Sequence, residues 1–423
     1  MNGIISSNPQ NKLKVFEEYL RKHAVRDRLI DDKPSGNLFL SVVIPCYAEP
    51  DALRSLESLR ACSETTFPVE ILVVVNHSES ADSEIKQQNA KTYSALSDWS
   101  LLNSDYLRRF YVIPAFNLSD RDAGVGMARK IGMDEAVRRF LMCGNEKGVI
   151  AGFDADCTCS ENYLAAIEKT FMSNHINAAS LYFEHSLKGN EHNESVYRCA
   201  EQYEMHLRYY KNALVYTGFP FSYHTVGSSF AVRAGVYCCQ GGMNKRKAGE
   251  DFYFLSKVIP LGGYCEINNT CVFPSPRPSE RVPFGTGAAV KKMLDANRDE
   301  FLTYPFSLFV MLQSFFSGVT GMYNESHITF PDNILGHYCK KNQEVIDLEQ
   351  VKKNTASAAT FTKRFYTVFN AFRILKFLNY AIENGYELKP VSRESKELLE
   401  TKGYAVNQTD ILELLRTIDR NGY

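Results

Sequence analysis

Apolar positions in this chain follow two different periods, and the switch between them outlines the fold. Residues 11–30 place Leu13, Phe16, Leu20, Val25 and Leu29 at helical spacing before the turn-rich DDKPSGN. FLSVVIPCY, 39–47, is then a continuous β-branched run, the pattern of a strand covered on both faces, and DALRSLESLRAC behind it has a helical period. VEILVVVN, 69–76, is a second such strand and RRFYVIPA, 108–115, a third, followed by the helical GVGMARKIGMDEAVRRFL. KGVIAGFDAD and the helical ENYLAAIEKTFM complete a fourth alternation. Strand and helix in strict alternation predict an α/β, doubly wound, mostly parallel sheet, whose ligands sit at the carboxyl ends of the strands.

AASLYFEHSLKG, 178–189, reads as a further strand entering a loop, and a tyrosine-rich helix follows at 197–216. Past Pro283 helical periods dominate, in NRDEFLTYPFSLFVMLQSFF, in NTASAATFTKRFYTVFNAFRILKFLNYAI and in QTDILELLRTI. The expected organisation is a helical extension over 1–36, a nucleotide-binding and catalytic domain over 37–285, and a helical C-terminal region over 286–423.

Composition narrows the function classes. Lys plus Arg (48) nearly balances Asp plus Glu (49) in 423 residues, which excludes the basic footprint of a duplex nucleic-acid binder. Eleven cysteines is an odd number, and MNGIISSNPQNKLKVFEEYLRKH is polar and helix-like, so reduced thiols in a cytoplasm are expected. FSLFVMLQSFFSGV is broken by Ser307, Gln313, Ser314 and Ser317 and falls short of the ~20 residues of a spanning helix.

Three constellations carry chemistry. Asp154 and Asp156 end the fourth strand one residue apart, where like charges repel unless a cation shares them. Alternation along an extended strand turns both carboxylates to one side, so either they hold an oxygen-ligated divalent cation or they cap the next helix. AGEDFYFLSKV offers a second acidic pair, Glu250 and Asp251, which serves a helix N-terminus or acts as a general base. PSPRPSERVPFGTG, 274–287, sets Arg277 and Arg281 four apart on a loop, as a surface pair or as forks for phosphate oxygens. In DRDAGVGMARK, Gly124 and Gly126 are spaced for a dinucleotide turn, but Arg129 stands where the third glycine belongs and a loop precedes the motif. A Rossmann cofactor is therefore excluded, while Asp122, Arg129 and Lys130 remain candidates for nucleotide contact. Cys157, Cys159, Cys238 and Cys239 lack zinc-site spacing.

In this order the motifs resemble a family 2 glycosyltransferase of the GT-A fold, of bacterial type, over about residues 39–285. VVIPCYAE, with Pro45, Tyr47 and Glu49, is similar to the family's opening strand and nucleotide-contacting loop. Asn76 stands where the family usually carries a base-reading aspartate. FDAD is similar to the metal-binding Asp-x-Asp motif, GEDFYFL to the segment with the catalytic base, and VGSSFAVRAGVYCCQGGM to the acceptor-side stretch between them. The resemblance implies transfer of a sugar, with inversion, from a nucleotide diphosphate (UDP favoured) to a hydroxyl of a glycan or lipid-linked saccharide in cell-surface polysaccharide synthesis. It implies Mn2+ or Mg2+ on Asp156 and Asp154, and Asp251 as base with Glu250 beside it. A histidine expected as third ligand has only His327 and His337 as candidates past the arginine loop.

Two rivals remain. A sugar-nucleotide nucleotidyltransferase would open with a glycine-rich basic loop, which CYAEPDALRS lacks, and an inactive binding member of the fold would not need Asp156 and Asp251. TFTKRFYTVFNAFRILKFLNYAI, 360–382, interleaves Lys363, Arg364, Arg373 and Lys376 with aromatics and reads as one helix. That helix lies either on an anionic membrane, as a peripheral contact on the inner face of the cell membrane, or in the core with snorkelling cations.

Overall fold

A computed structural model describes residues 9–281, 283–406 and 411–422. The chain divides into two units, one of Met1–His192, Thr225–Lys291 and Arg420–Gly422, the other of Asn193–His224 and Lys292–Asp419. The segment 193–224, though inside residues 37–285, thus groups with the C-terminal helices.

In the first unit the order is α1 (Pro9–His23), β1 (Leu40–Cys46), α2 (Ala52–Arg60), β2 (Val69–Ser78), α3 (Ser83–Asn103), β3 (Arg108–Leu118), α4 (Val125–Met142), β4 (Val149–Gly152), β5 (Thr158–Cys159), α5 (Tyr163–Phe171) and β6 (Ala178–Phe183). After α6 (Glu194–Tyr216), which belongs to the second unit, come β7 (Phe230–Arg233), α7 (Ala234–Cys239), α8 (Glu250–Val258) and β8 (Tyr264–Phe273). All eight strands form one sheet in the order β3-β2-β1-β4-β7-β6-β8-β5. β1 to β4 run parallel, β6 and β8 pair parallel, and β7 is antiparallel to both its neighbours. The α/β, mostly parallel sheet read from the sequence is therefore present.

The central strands are buried on both faces. Val42, Val43 and Ile44 of β1 and Ile71 to Val75 of β2 have essentially no exposed surface. Burial of each such side chain contributes about 1.5–3 kcal/mol. α3 departs from the apolar period seen elsewhere, since its buried stripe is Asn89, Thr92, Leu96 and Ser100. α1 packs on α4 and α7. There Asp134 accepts hydrogen bonds from Tyr19 (2.6 Å) and Tyr237 (2.9 Å) and pairs with Lys130 at 3.0 Å.

The second unit is helical. Residues 360–382, expected as one helix, form two: α14 (Ala358–Val368) and α15 (Ala371–Glu383), counting past α9 (Thr286–Asp295), α10 (Phe306–Ser317), α11 (Val319–Met322), α12 (Ile334–Lys341) and α13 (Leu348–Lys353). The break comes at Phe369–Asn370, where the Asn370 side chain accepts the N–H of Arg373 and starts a new helix. Phe361, Phe365, Phe369 and Phe377 are buried in this unit's own core while Lys363, Arg364 and Lys376 are exposed. Among the described residues no helix is long and apolar enough to cross a membrane.

α16 (Val391–Thr401) and α17 (Ile411–Asn421) close the chain. Asp419 on α17 is 2% exposed and takes Arg208 at 2.7 Å, Lys211 at 3.1 Å and His224 at 3.0 Å. Burial alone would raise its carboxyl, but the His224 hydrogen bond and the Lys211 and Arg208 charges hold it well below the usual range. A carboxyl so lowered contributes stability above its unfolded pKa and loses it as pH falls below. Asp419→Asn leaves two buried cations short of charge, so it should cost about 3 kcal/mol of unfolding free energy at pH 7. Denaturant titration would check this, and an unchanged midpoint would contradict it.

Candidate functional site

The site gathers where β1, β2 and β4 end. Pro45 lies two residues past the last β1–β4 pair, Val43 with Gly152, so its missing N–H interrupts no ladder there. The chain then turns sharply. Ala48 adopts φ of 46°, the left-handed region, and its N–H donates to the Asn89 side chain at 2.8 Å. Glu49 follows, 1% exposed, and its Oε2 accepts from Arg277 (2.6 Å) and Arg281. Arg281 also donates to the Tyr47 carbonyl at 3.2 Å. The arginine loop and the opening-strand loop, far apart in sequence, are thus one cluster.

Asp154 and Asp156 occupy the turn leaving β4. Phe153 N–H continues the ladder to Val43 O at 3.1 Å, after which Cys157 N–H closes back on Asp154 O at 3.1 Å. Ser55 of α2 braces the turn, its hydroxyl 2.7 Å from the carbonyl oxygens of Ala155 and Cys157. Both carboxylates are about a third exposed, and Asp156 lies 3.8 Å from Arg281.

Arg129 of α4 joins this turn to the second acidic pair. Its guanidinium, 4% exposed, binds Asp154 through Nη2 and Glu250 through Nη1. Glu250 opens α8 behind Gly249, whose φ of 69° admits the sharp entry, and Asn244 donates to the Glu250 carbonyl at 3.0 Å. Asp251 is half-buried and its carboxylate accepts the N–H of Phe252 at 2.7 Å. Gly227 is required by space, since a Cβ there would stand 2.3 Å from the Arg129 guanidinium.

Charge here is out of balance. Among the described residues, Glu49, Asp154, Asp156, Glu250 and Asp251 meet Arg129, Arg277 and Arg281, so with all five carboxyls ionised two negative charges have no cation partner there. Asp51, 3.5 Å from Arg277, is exposed and solvated. Three of these carboxyls, Asp156, Glu250 and Asp251, are shifted upward. Burial, then the charges of Asp154 and Glu49, push Asp156 up to about 6 against the pull of the arginines. Burial pushes Glu250 up to about 7, with Arg129 pulling back, and also raises Asp251. Burial would lower Arg129, but Asp154, Glu250 and Asp251 outweigh it and keep the guanidinium charged.

Oxygen donors short of positive charge fit a hard divalent cation. Ligand atoms of Asp154, Asp156 and Cys157 lie within 4.8 Å of one another. The Cys157 thiol is buried and pushed well above its ordinary value, so the two carboxylates are the donors that suit such an ion. No histidine joins this group among the described residues. His337 instead lies 3.9 Å from Asp332.

The other sequence candidates have partners outside the five carboxyls and three arginines. Asp122 lies 3.9 Å from Lys245 on the loop before α4. Lys130 is held by Asp134 and Tyr19. Asn76 is 2% exposed, its carbonyl accepts from Asn89 Nδ2 at 2.9 Å, and its Oδ1 has no hydrogen-bond partner among the described residues. Sequence reasoning missed Asn89, Thr92, Ser55 and the role of Gly227. The only signal for the first two is a polar stripe at helical spacing in α3.

No protein-family model matches the chain, and no curated protein sequence matches it. Similar solved structures include S. aureus TarS 1-349 in complex with UDP-GlcNAc, at 14% identity over 79% of this chain and 91% of that one, TM-score 0.38. The mannosyltransferase PcManGT from Pyrobaculum calidifontis, in complex with GDP-Man and Mn2+, is 11% identical over 98% of this chain and 93% of its own, TM-score 0.33. GalNAc-T7 with UDP, GalNAc and Mn2+ is 12% identical over 87% and 68%, TM-score 0.36.

An acid whose folded pKa is raised costs stability above that pKa. Asp156 rises from 3.8 to about 6, so its penalty is absent below the lower value, grows between the two and is full above. In chelator, Asp156→Asn should therefore melt higher than the parent at pH 7.5, with the gain vanishing toward pH 4. A pH series of melting curves checks this, and a gain independent of pH would contradict it.

Proposed function

We propose that the chain is a metal-dependent, inverting glycosyltransferase of the GT-A type and family 2, moving a sugar from a nucleotide diphosphate, with UDP favoured, to an acceptor hydroxyl. The observation that carries this reading is the two-charge deficit at the strand ends, centred on Asp154 and Asp156 and joined through Arg129 to Glu250 and Asp251. Asp154 and Asp156 would hold Mn2+ or Mg2+, which when bound neutralises charge growing on the departing diphosphate. Arg277 and Arg281 present two guanidinium forks beside Asp156, suited to phosphate oxygens.

Asp251 is the base. As the acceptor oxygen bonds to the anomeric carbon, its proton passes to the Asp251 carboxylate and the bond from that carbon to the phosphate oxygen breaks. A raised pKa strengthens the base, and the Phe252 N–H aims it. Glu250, buried against Arg129, orients α8 and leaves Asp251 the more accessible carboxylate of the pair. The acceptor is a glycan or lipid-linked saccharide. Contact with an anionic membrane through 360–382 would use the exposed Lys363, Arg364 and Lys376, since Phe361, Phe365, Phe369 and Phe377 are buried. The odd count of eleven cysteines supports a reducing, cytoplasmic setting.

A thermal-shift panel with UDP, GDP, CDP and dTDP, each with and without Mn2+, tests the donor site. A ligand at about a hundred times its dissociation constant adds ~2.7 kcal/mol. One nucleotide should raise the melting temperature only with Mn2+, and Asp156→Ala should abolish the shift. With that donor, Asp251→Asn should cut turnover by about 10²–10⁴ while retaining the shift. No shift with any nucleotide would overturn the reading.

A further inference from the structure

Asn89 stands outside the catalytic groups yet touches both strand ends that flank the site. It is fully buried on α3, its Oδ1 accepts the N–H of Ala48 at 2.8 Å, and its Nδ2 donates to the carbonyl of Asn76 at 2.9 Å. These two bonds use opposite halves of one amide, so a carboxylate or an aliphatic of the same size cannot make both. Ala48 is where the backbone is strained. At φ 46° it lies in the left-handed region, which a residue with a Cβ occupies only when its surroundings impose it. Thr92, one turn on, adds a hydroxyl at 3.3 Å from the carbonyl of Glu49, the residue that gathers Arg277 and Arg281.

We propose that Asn89 is a positioning residue: it holds Ala48 left-handed, so that Glu49 sets the arginine pair beside Asp156, and it ties that phosphate side to the end of β2 at Asn76. A helix with a polar inner stripe thereby acts as a clasp across the β1 and β2 ends. The link to phosphate binding rests on the nucleotide-donor reading, whereas the clasp itself belongs to the ligand-free chain.

The test couples Asn89 to Ala48. Asn89→Leu removes both bonds and should weaken UDP binding in Mn2+ by about tenfold, the scale of one strained residue. Glycine takes φ 46° without help, so Ala48→Gly placed in the Asn89→Leu background should restore most of that loss. Ala48→Val, which leaves Asn89 intact but resists this φ, should weaken binding likewise and serves if Asn89→Leu does not fold. Without nucleotide, Ala48→Gly should raise the melting temperature more in the Asn89→Leu chain than in the parent. Undiminished binding in a folded Asn89→Leu chain, or no added benefit of glycine in that background, would overturn the proposal by reducing Asn89 to packing. If the parent binds no nucleotide, the donor reading fails and the ligand-free melting cycle alone decides the clasp.

Discussion

Everything at this site is arranged around one buried positive charge. Arg129 is almost fully enclosed, and Asp154 and Glu250 from separate elements each take one of its terminal nitrogens. A buried guanidinium is tolerated only when paired and hydrogen-bonded. That requirement fixes α4, the turn after β4 and the start of α8 relative to one another, and the absent side chain of Gly227 leaves the space for it. The pairing also has a consequence for Asp156: with Arg129 committed to Asp154 and Glu250, it is left with Arg281 at 3.8 Å as its close cation.

A second set of constraints comes from polar groups outside the charged cluster. Ser55 braces the turn of the two aspartates, and Asn89 with Thr92 braces the loop that carries Glu49. All three reach backbone atoms, so they fix where charged side chains start without competing for charge. Loops at the carboxyl edge of a parallel sheet have no ladder of their own, and such side-chain to backbone bonds replace it.

Much of this was legible in the sequence where a physical pattern is local. The β-branched runs of β1 and β2 announce strands buried on both faces, and the alternation with helices announces the parallel sheet. Asp154 and Asp156 could be placed together because they adjoin one strand, although β4 ends at Gly152 and a turn, not strand alternation, sets the two carboxylates. What escaped was non-local or polar. α3 carries Asn89, Thr92 and Ser100 inward, so it has no apolar period to detect. Nothing in the sequence couples Arg277 and Arg281 to Glu49, more than two hundred residues away, or α6 to the C-terminal helices. The span 360–382 looked like one helix because Asn370 is an ordinary polar residue until its side chain caps Arg373.

The central claim is that the acidic strand end is short of a divalent cation. Titration of Mn2+ against the chain, followed by the loss of the free-ion paramagnetic resonance signal, tests it without assuming any substrate. The account expects a single Mn2+ per chain, bound more tightly with UDP present and released in Asp156→Ala. Mn2+ that stays free at every concentration, or an isotherm unchanged by Asp156→Ala, would contradict it and return the two aspartates to a purely structural part in the turn.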